Sequence, residues 1–217
     1  YYNILNTGIR IPPSAGSASG VLGNPLGYNR VYVHLDGKFS ETAWWDGLAK
    51  GNCFVSNGPL LRVRANGRLP GAVFTADGGE PLGLKLDVQL TTLDRLSELE
   101  VIQNGKVTQT IPCNGDRNQA HSLPLTVNES GWFLIRGIAE NPKTFRFAST
   151  APFYTELAQV KRRISKSSSR FFLDWVNERI ERVKANITDK SQQAEVLRSH
   201  ESARKFWQER VRQSNAD

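Results

Sequence analysis

The chain has 217 residues, of which 39% are hydrophobic, and its formal net charge is +7. This composition excludes a disordered segment, and no apolar run is long enough to span a membrane. The charge is uneven, because residues 161–217 carry 14 Lys and Arg against 8 Asp and Glu, whereas residues 1–160 carry 14 against 13. The positive excess therefore belongs to the C-terminal quarter of the chain.

The sequence contains no Met, and Tyr1–Asn3 do not resemble the start of a signal peptide. We therefore interpret the chain as a segment of a longer protein, on whose upstream part any export signal would lie. Cys53 and Cys113 both adjoin apolar residues, which predicts buried thiols and argues against a disulfide framework or a zinc site. The cell compartment stays open.

Residues 1–51 mix structural types. After a short apolar opening comes a loop of small residues, Gly16–Gly20, and then the run RVYVHL, which predicts a strand. Ser40 is placed to cap a helix over SETAWWDGLAKG, with Ala43, Trp44 and Leu48 facing inward and Gly51 at its end. This order predicts an α/β fragment.

Residues 52–160 change to a period of two. From Leu82 to Thr91, Leu and Val alternate with polar residues, which predicts a strand with one buried face. About seven such runs separated by turn signals are typical of an immunoglobulin-like β-sandwich. The apolar run Trp132–Ile135 predicts a strand at the centre of a sheet.

The run LSELEVIQNGKVTQTI predicts a hairpin with one of two registers. A two-residue loop would pair Ile102 with Val107, whereas a three-residue loop, Gln103–Gly105, would pair Val101 with Val107. We predict the second, with Gly105 at positive φ, because it gathers the apolar side chains on one face.

Residues 161–217 lack Gly and Pro and contain two runs of apolar residues at helical spacing. Ser169 or a neighbouring serine is the expected N-cap of the first run. We interpret His200 as a half-buried core residue of the second run and not as a ligand. The two stripes predict a basic amphipathic helical hairpin; they consist of Phe172, Val176, Ile180, Val183 and Ile187, and of Val196, His200, Ala203, Trp207 and Val211.

Few residues have a pattern that indicates chemistry. The Gly16–Gly20 loop lacks the Lys of a Walker motif and the spacing of a dinucleotide fingerprint. His34 and Asp36 would share one face of a strand and are weak candidates for metal ligands, although Asp36-Gly37 is also a turn signal. No Gly-x-Ser-x-Gly motif is present, which disfavours nucleophilic catalysis.

Two binding functions remain as alternatives. Basic residues together with Trp175 and Phe206 could form a nucleic-acid surface, but these aromatics lie near the apolar stripes and acidic residues alternate with the bases. Pairs such as Glu201–Lys205 favour a solvated face, so nucleic acid is disfavoured. Carbohydrate binding would need exposed aromatics on the sandwich, and the tryptophans of residues 1–160 lie in patterns that predict burial.

Residues 2–61, which contain NTGIRIPPSAGSASG, GYNRVYVHLDG and GNCFVSNGPLL, resemble the closing part of metal-dependent hydrolases of the polymerase-and-histidinol-phosphatase (PHP) class, in the CehA/McbA branch typified by carbaryl hydrolase. NGRLPG, the β-rich region and STAPFYTE are similar to the β-domain that follows in that branch. The resemblance covers about residues 1–157, and FVSNGPLL is its most specific part. Together with the patterns above, it implies a PHP-like α/β fragment over residues 1–51, an immunoglobulin-like sandwich over 52–160 and a helical hairpin over 161–217.

In that family, a late loop of the form Gly-Ser/Thr-Asp-Ala-His supplies a ligand to the active-site metals. On this chain Gly16 and Ser17 match, but Ala18 replaces Asp and, beyond Ser19, Gly20 replaces His. The resemblance thus implies a degenerate ligand loop, no cofactor in this segment, and zinc or manganese held by upstream residues of the parent. The expected function is a noncatalytic accessory segment whose partner is the upstream barrel of the same polypeptide. The alternative is a β-sandwich module that binds carbohydrate or another polymer.

Overall fold

A computed structural model describes residues 1–18, 20, 25–78, 80–158 and 160–217. Over these residues the protein is mainly β, with two sheets and a pair of long C-terminal helices, and none of its helices is long and apolar enough to cross a membrane. The chain divides into two compact units. The first is Arg10–Lys161, and the second combines Tyr1–Ile9 with Arg162–Asp217.

The first unit contains an eight-stranded sheet. Its strands are β1 (Arg30–Val33), β2 (Cys53–Ser56), β4 (Val73–Ala76), β6 (Glu98–Gln103), β7 (Lys106–Pro112), β9 (Gly131–Ala139), β10 (Arg146–Thr150) and β11 (Phe153–Leu157). β1 pairs with β2, β2 pairs with β10, and β9 lies at the centre. β10 and β11 pair with successive halves of one side of β9, and β6 pairs with its other side. β7 continues the sheet from β6, and β4 continues it from β11.

A smaller antiparallel sheet has the order β3 (Leu60–Ala65), β5 (Leu82–Thr91) and β8 (Asn118–Val127). The alternation predicted for Leu82–Thr91 is confirmed, since its inward Leu and Val side chains from Leu84 onward are at most 4% exposed. One buried apolar cluster draws residues from both sheets. The central position predicted for Trp132–Ile135 is also confirmed, because β9 has neighbours on both sides and all four residues are buried.

The predicted register of the β6–β7 hairpin is wrong. Ile102 pairs with Val107 across a two-residue loop, Asn104-Gly105, in which both residues have positive φ. Asn-Gly is the preferred sequence for this turn, and a bulge in β7 then moves Leu99 opposite Ile111, so the buried face is recovered without the three-residue loop. Val107 stays 47% exposed.

Helix α2 (Glu41–Ala49) follows β1 and begins as predicted, with the Ser40 hydroxyl accepting a hydrogen bond from the amide of Ala43. The predicted burial of the neighbouring tryptophans fails for Trp45, which is 56% exposed. Gly47 is the buried position of α2, and an added Cβ there would lie only 2.6 Å from Val33. The helix therefore contacts the sheet through its smallest residue.

The second unit consists of α1 (Tyr2–Asn6), α3 (Lys166–Asn186) and α4 (Lys190–Arg212). Ser165, and not Ser169, caps α3, because Ser169 lies inside the helix and donates its hydroxyl to the Ser165 carbonyl. The two long helices pack together as predicted: Phe172 stacks on Trp207 with ring centroids 4.6 Å apart, and the buried apolar residues of α3, Ile180 and Val183, lie on its stripe. His200 is half-buried and its Nδ1 donates to the Val196 carbonyl.

Candidate functional site

The start of the small-residue loop is held by hydrogen bonds to Asn29, the residue before β1. The Ser17 hydroxyl accepts a hydrogen bond from the amide of Asn29 at 2.9 Å, and the Asn29 side chain donates to the Gly16 carbonyl at 3.2 Å. Ala18 is exposed and offers only a methyl group, and Gly20 has a φ of +85°. Ser19 lies outside the described residues. The loop thus starts from a fixed position next to β1.

His34 and Asp36 do come together, with Nε2 and Oδ1 3.1 Å apart. Asp36 is 94% exposed, and the pair lies just beyond the end of β1. No group of three or more His, Cys, Asp and Glu that could hold a metal occurs among the residues that the structure describes. The pair alone supplies two of the three or four protein ligands that zinc sites use.

The most specific part of the family resemblance, FVSNGPLL, forms the end of β2 and the turn into β3. The Asn57 side chain donates to the Phe145 carbonyl at 3.0 Å and accepts from the Phe147 amide at 2.8 Å. The Ser56 hydroxyl is buried, donates to the Pro59 carbonyl and accepts from the Gly58 amide. The polar side chains of this motif therefore serve the turn itself.

Cys53 is buried as predicted, at 3% exposure, whereas Cys113 is half-buried. Burial raises the pKa of the Cys53 thiol to about 12. Burial and, to a smaller extent, the charge of Glu98 also raise the pKa of Cys113. A thiolate is the reactive form of cysteine, so both thiols are poor nucleophiles near neutral pH.

The raised pKa of Cys53 predicts a specific loss of stability in base. The unfolded thiol loses its proton near pH 9, whereas the folded thiol keeps it until about pH 12, so rising pH favours the unfolded state within this window. Between these values the free energy of unfolding should fall by about 1.4 kcal/mol per pH unit because of this group. We expect Cys53→Ala to flatten the fall measured by urea unfolding, and Cys113→Ala to retain most of it. Equal slopes in wild type and Cys53→Ala would contradict the assignment.

A groove of about 520 Å³ lies in the first unit, where the edge strand β1 meets the edge strand β3. Its volume is in the range of small-molecule sites. Tyr32 and Phe54 form its aromatic part, with ring centroids 4.8 Å apart and planes within 8° of parallel. Phe54 covers one face of Tyr32, and no described strand lies beyond β1 on the other side.

Polar side chains line the rest of this groove. Arg62 and Gln89 are cross-strand neighbours on the outer face of the smaller sheet, and both are exposed. His34 and Asn52 lie at the side of β1 and β2, and Asn52 donates to the Pro70 carbonyl. An aromatic surface with convergent donors and acceptors is the usual composition of a ligand site. No sequence pattern predicts this groove, although His34 was a candidate metal ligand for another reason.

The surface of α3 and α4 carries aromatic residues that are more exposed than the sequence predicts. Trp175 and Phe206 are 55% and 46% exposed, although both adjoin the apolar stripes. The i, i+4 pairing expected of this surface is present between Glu178 and Arg182, whereas Glu201 pairs with Arg204 and not with Lys205. Local pairs of this kind hold several of the acidic side chains of the second unit against neighbouring arginines.

No protein-family model matches this sequence, and a search of curated proteins finds no significant match.

Proposed function

We propose that this chain is a noncatalytic accessory segment of a larger protein similar to PHP metal-dependent hydrolases of the CehA/McbA branch. In this proposal residues 1–51 are the PHP-like α/β end of a barrel, the β-rich region is an immunoglobulin-like sandwich, and the helical pair is a C-terminal appendage. The parent would hold zinc or manganese through residues of its upstream barrel, which is also the partner of this segment. The chain itself would contribute structure.

One observation carries this proposal: the two positions at which the family's ligand loop has Asp and His are Ala18 and Gly20 in this sequence. Ala18 presents a methyl group where the family has a carboxylate, and the Ser17 hydroxyl already accepts the Asn29 amide. Divalent metals of the zinc and manganese type bind imidazole, thiolate and carboxylate groups. Asn29 therefore holds Gly16 and Ser17 in place, but position 18 has no group that binds such a metal.

Metal titration tests the proposal. We expect calorimetry and elemental analysis to find no stoichiometric zinc or manganese on the wild-type chain. In the full-length parent, whose upstream barrel would hold the other ligands, Ala18→Asp should raise the metal affinity measurably, because it restores one carboxylate at the aligned position of the loop. The matched variant Ala15→Asp places the same charge in the same loop outside the aligned ligand position, and should leave the affinity unchanged.

Stoichiometric binding of zinc or manganese at micromolar concentration by the wild-type chain would overturn the noncatalytic assignment. His34→Ala and Asp36→Ala would then show whether the pair beyond β1 is the site, since both variants should lose the metal if it is. A gain in affinity that is equal for Ala15→Asp and Ala18→Asp would show that added charge alone attracts the metal.

A second candidate function is carbohydrate binding in the groove between β1 and β3. The observation that favours it is the half-buried ring of Tyr32, which stacks on Phe54 and lies among side chains that both donate and accept hydrogen bonds. The apolar face of a sugar ring packs on such an aromatic surface, and its hydroxyls match groups such as the Gln89 amide. In this candidate the chain is a binding module, and Tyr32→Ala should abolish the binding of oligosaccharides.

A further inference from the structure

The charged groups of the groove that have no ionic partner among the described residues are arginines. The Arg62 guanidinium forms no hydrogen bond or ion pair with any residue that the structure describes, and it lines the groove beside Gln89. Arg64, two residues further along β3, donates to the Gly67 carbonyl at 2.9 Å and has other N–H groups left. Two guanidinium groups on one face of one strand are a binding surface for an anion.

The Asp87 carboxylate, which also lines the groove, does not cancel the charge of these arginines, because it is already paired with a lysine. Asp87 accepts a hydrogen bond from Ser122 at 2.8 Å and lies 3.2 Å from the ammonium group of Lys85. The hydrogen bond from Ser122, followed by the interaction with Lys85, lowers the pKa of Asp87 and keeps it ionised at neutral pH. The net local charge available to a ligand is therefore that of Arg62 and Arg64.

A further cation fixes the aromatic surface. Arg30 donates from Nη1 to the Tyr32 hydroxyl at 3.3 Å, so a guanidinium group lies at the outer edge of the Tyr32 ring. An anionic substituent on a ring stacked over Tyr32 would lie between Arg30 on one side and the arginines of β3 on the other. Guanidinium groups present paired donors that match the two oxygens of a carboxylate.

We propose that this groove binds acidic oligosaccharides, in which sugar rings carry carboxylates. The inference rests on carbohydrate binding in the groove as the function, and adds the class of sugar. One ring packs on the open face of Tyr32, its hydroxyls bond to Gln89 and neighbouring polar groups, and its carboxylate pairs with Arg62. A neutral sugar would leave the Arg62 charge without a partner.

The test compares acidic and neutral oligomers with the same linkage. Tetramers of galacturonate, mannuronate and guluronate are titrated into the full chain by calorimetry, beside the same tetramers with their carboxyl groups reduced to alcohols. We expect at least one uronate to bind ten times more tightly than its reduced form. Arg62→Ala should remove this difference, and Tyr32→Ala should abolish the binding of both forms. Circular dichroism confirms that each variant is folded.

The control is Lys106→Ala, which removes one positive charge from β7, at the edge of the larger sheet opposite β1. It should leave uronate affinity unchanged, so an equal loss in Lys106→Ala and Arg62→Ala would overturn the proposal by showing attraction to the net charge. Equal binding of uronates and reduced oligomers would overturn the acidic class and leave carbohydrate binding standing. Failure of every oligomer to bind, or tighter binding of adenosine diphosphate than of any sugar, would overturn both.

Discussion

Gly71→Ala should destabilise the first unit by about 3 kcal/mol or more. Gly71 has a φ of +89°, a region that costs an L-residue about 1–2 kcal/mol. A Cβ added there would lie 1.8 Å from the Lys50 carbonyl oxygen, so the backbone must move, at a further cost of about 1–3 kcal/mol. The movement would also strain the hydrogen bond that the Gly71 amide donates to Pro152 at 2.7 Å.

Urea unfolding measures this effect, and a variant that is unfolded before urea is added satisfies the prediction. Gly83→Ala is the matched control, because Gly83 lies in β5 with no atom within 4 Å of an added Cβ and without positive φ. It should change the free energy of unfolding by about 0.5 kcal/mol or less, or stabilise slightly. Similar midpoints for both variants would mean that the backbones at Gly51 and Gly71 do not approach closely.

The contact at Gly71 also bears on where the chain divides. The end of α2, at Lys50 and Gly51, touches the segment between β3 and β4, and the Ala151 amide donates to the Cys53 carbonyl. β1 and β2 are in the same sheet as β10 and β9. Residues 30–51 are therefore bound into the β-rich unit. The proposed PHP-like fragment over residues 1–51 therefore refers to ancestry, because residues 30–51 do not pack as a separate domain.

The strands that the sequence predicts well are those with a complete local pattern. β5 has ten residues in strict alternation, and β9 has an apolar run that only a central position can bury, so both were predictable from period and composition. The β4–β11 pair was not predicted. β4 has only four residues and pairs in parallel with a strand far along the chain, and a short run carries too little signal to be distinguished from a loop.

The groove could not be predicted, because no single segment contains it. Tyr32 belongs to β1 of the larger sheet, whereas Arg62 and Gln89 belong to β3 and β5 of the smaller one, so the groove exists only once the two sheets come together. The residues that the sequence singled out as candidate ligands do not predict this groove. The Gly16 loop does not line the groove and is bonded to Asn29. His34 lines it, but its side chain is paired with Asp36. Motif spacing predicts local sites better than sites assembled from several strands.

The second large loss of stability that we expect comes from removing an aromatic ring in the core of the first unit. Phe153 is fully buried in β11 and stacks on Phe133 of β9, with ring centroids 4.9 Å apart and planes within 11° of parallel. Phe74 of β4 lies 6.4 Å away at a tilted angle. One side chain thus joins three strands, including the parallel pair of β4 and β11.

Phe153→Ala should therefore lower the free energy of unfolding by about 3–5 kcal/mol, through lost burial and a cavity that the paired strands cannot close. Phe145→Ala is the control, since Phe145 is 63% exposed and stacks only on Phe147, and it should cost about 1 kcal/mol or less. Urea unfolding followed by tryptophan fluorescence measures both variants, because Trp132 is buried in β9 beside Phe133. Equal losses of unfolding free energy in the two variants would contradict the buried position of Phe153 in β11. The prediction separates the two sites because the same atoms are removed and only their burial differs.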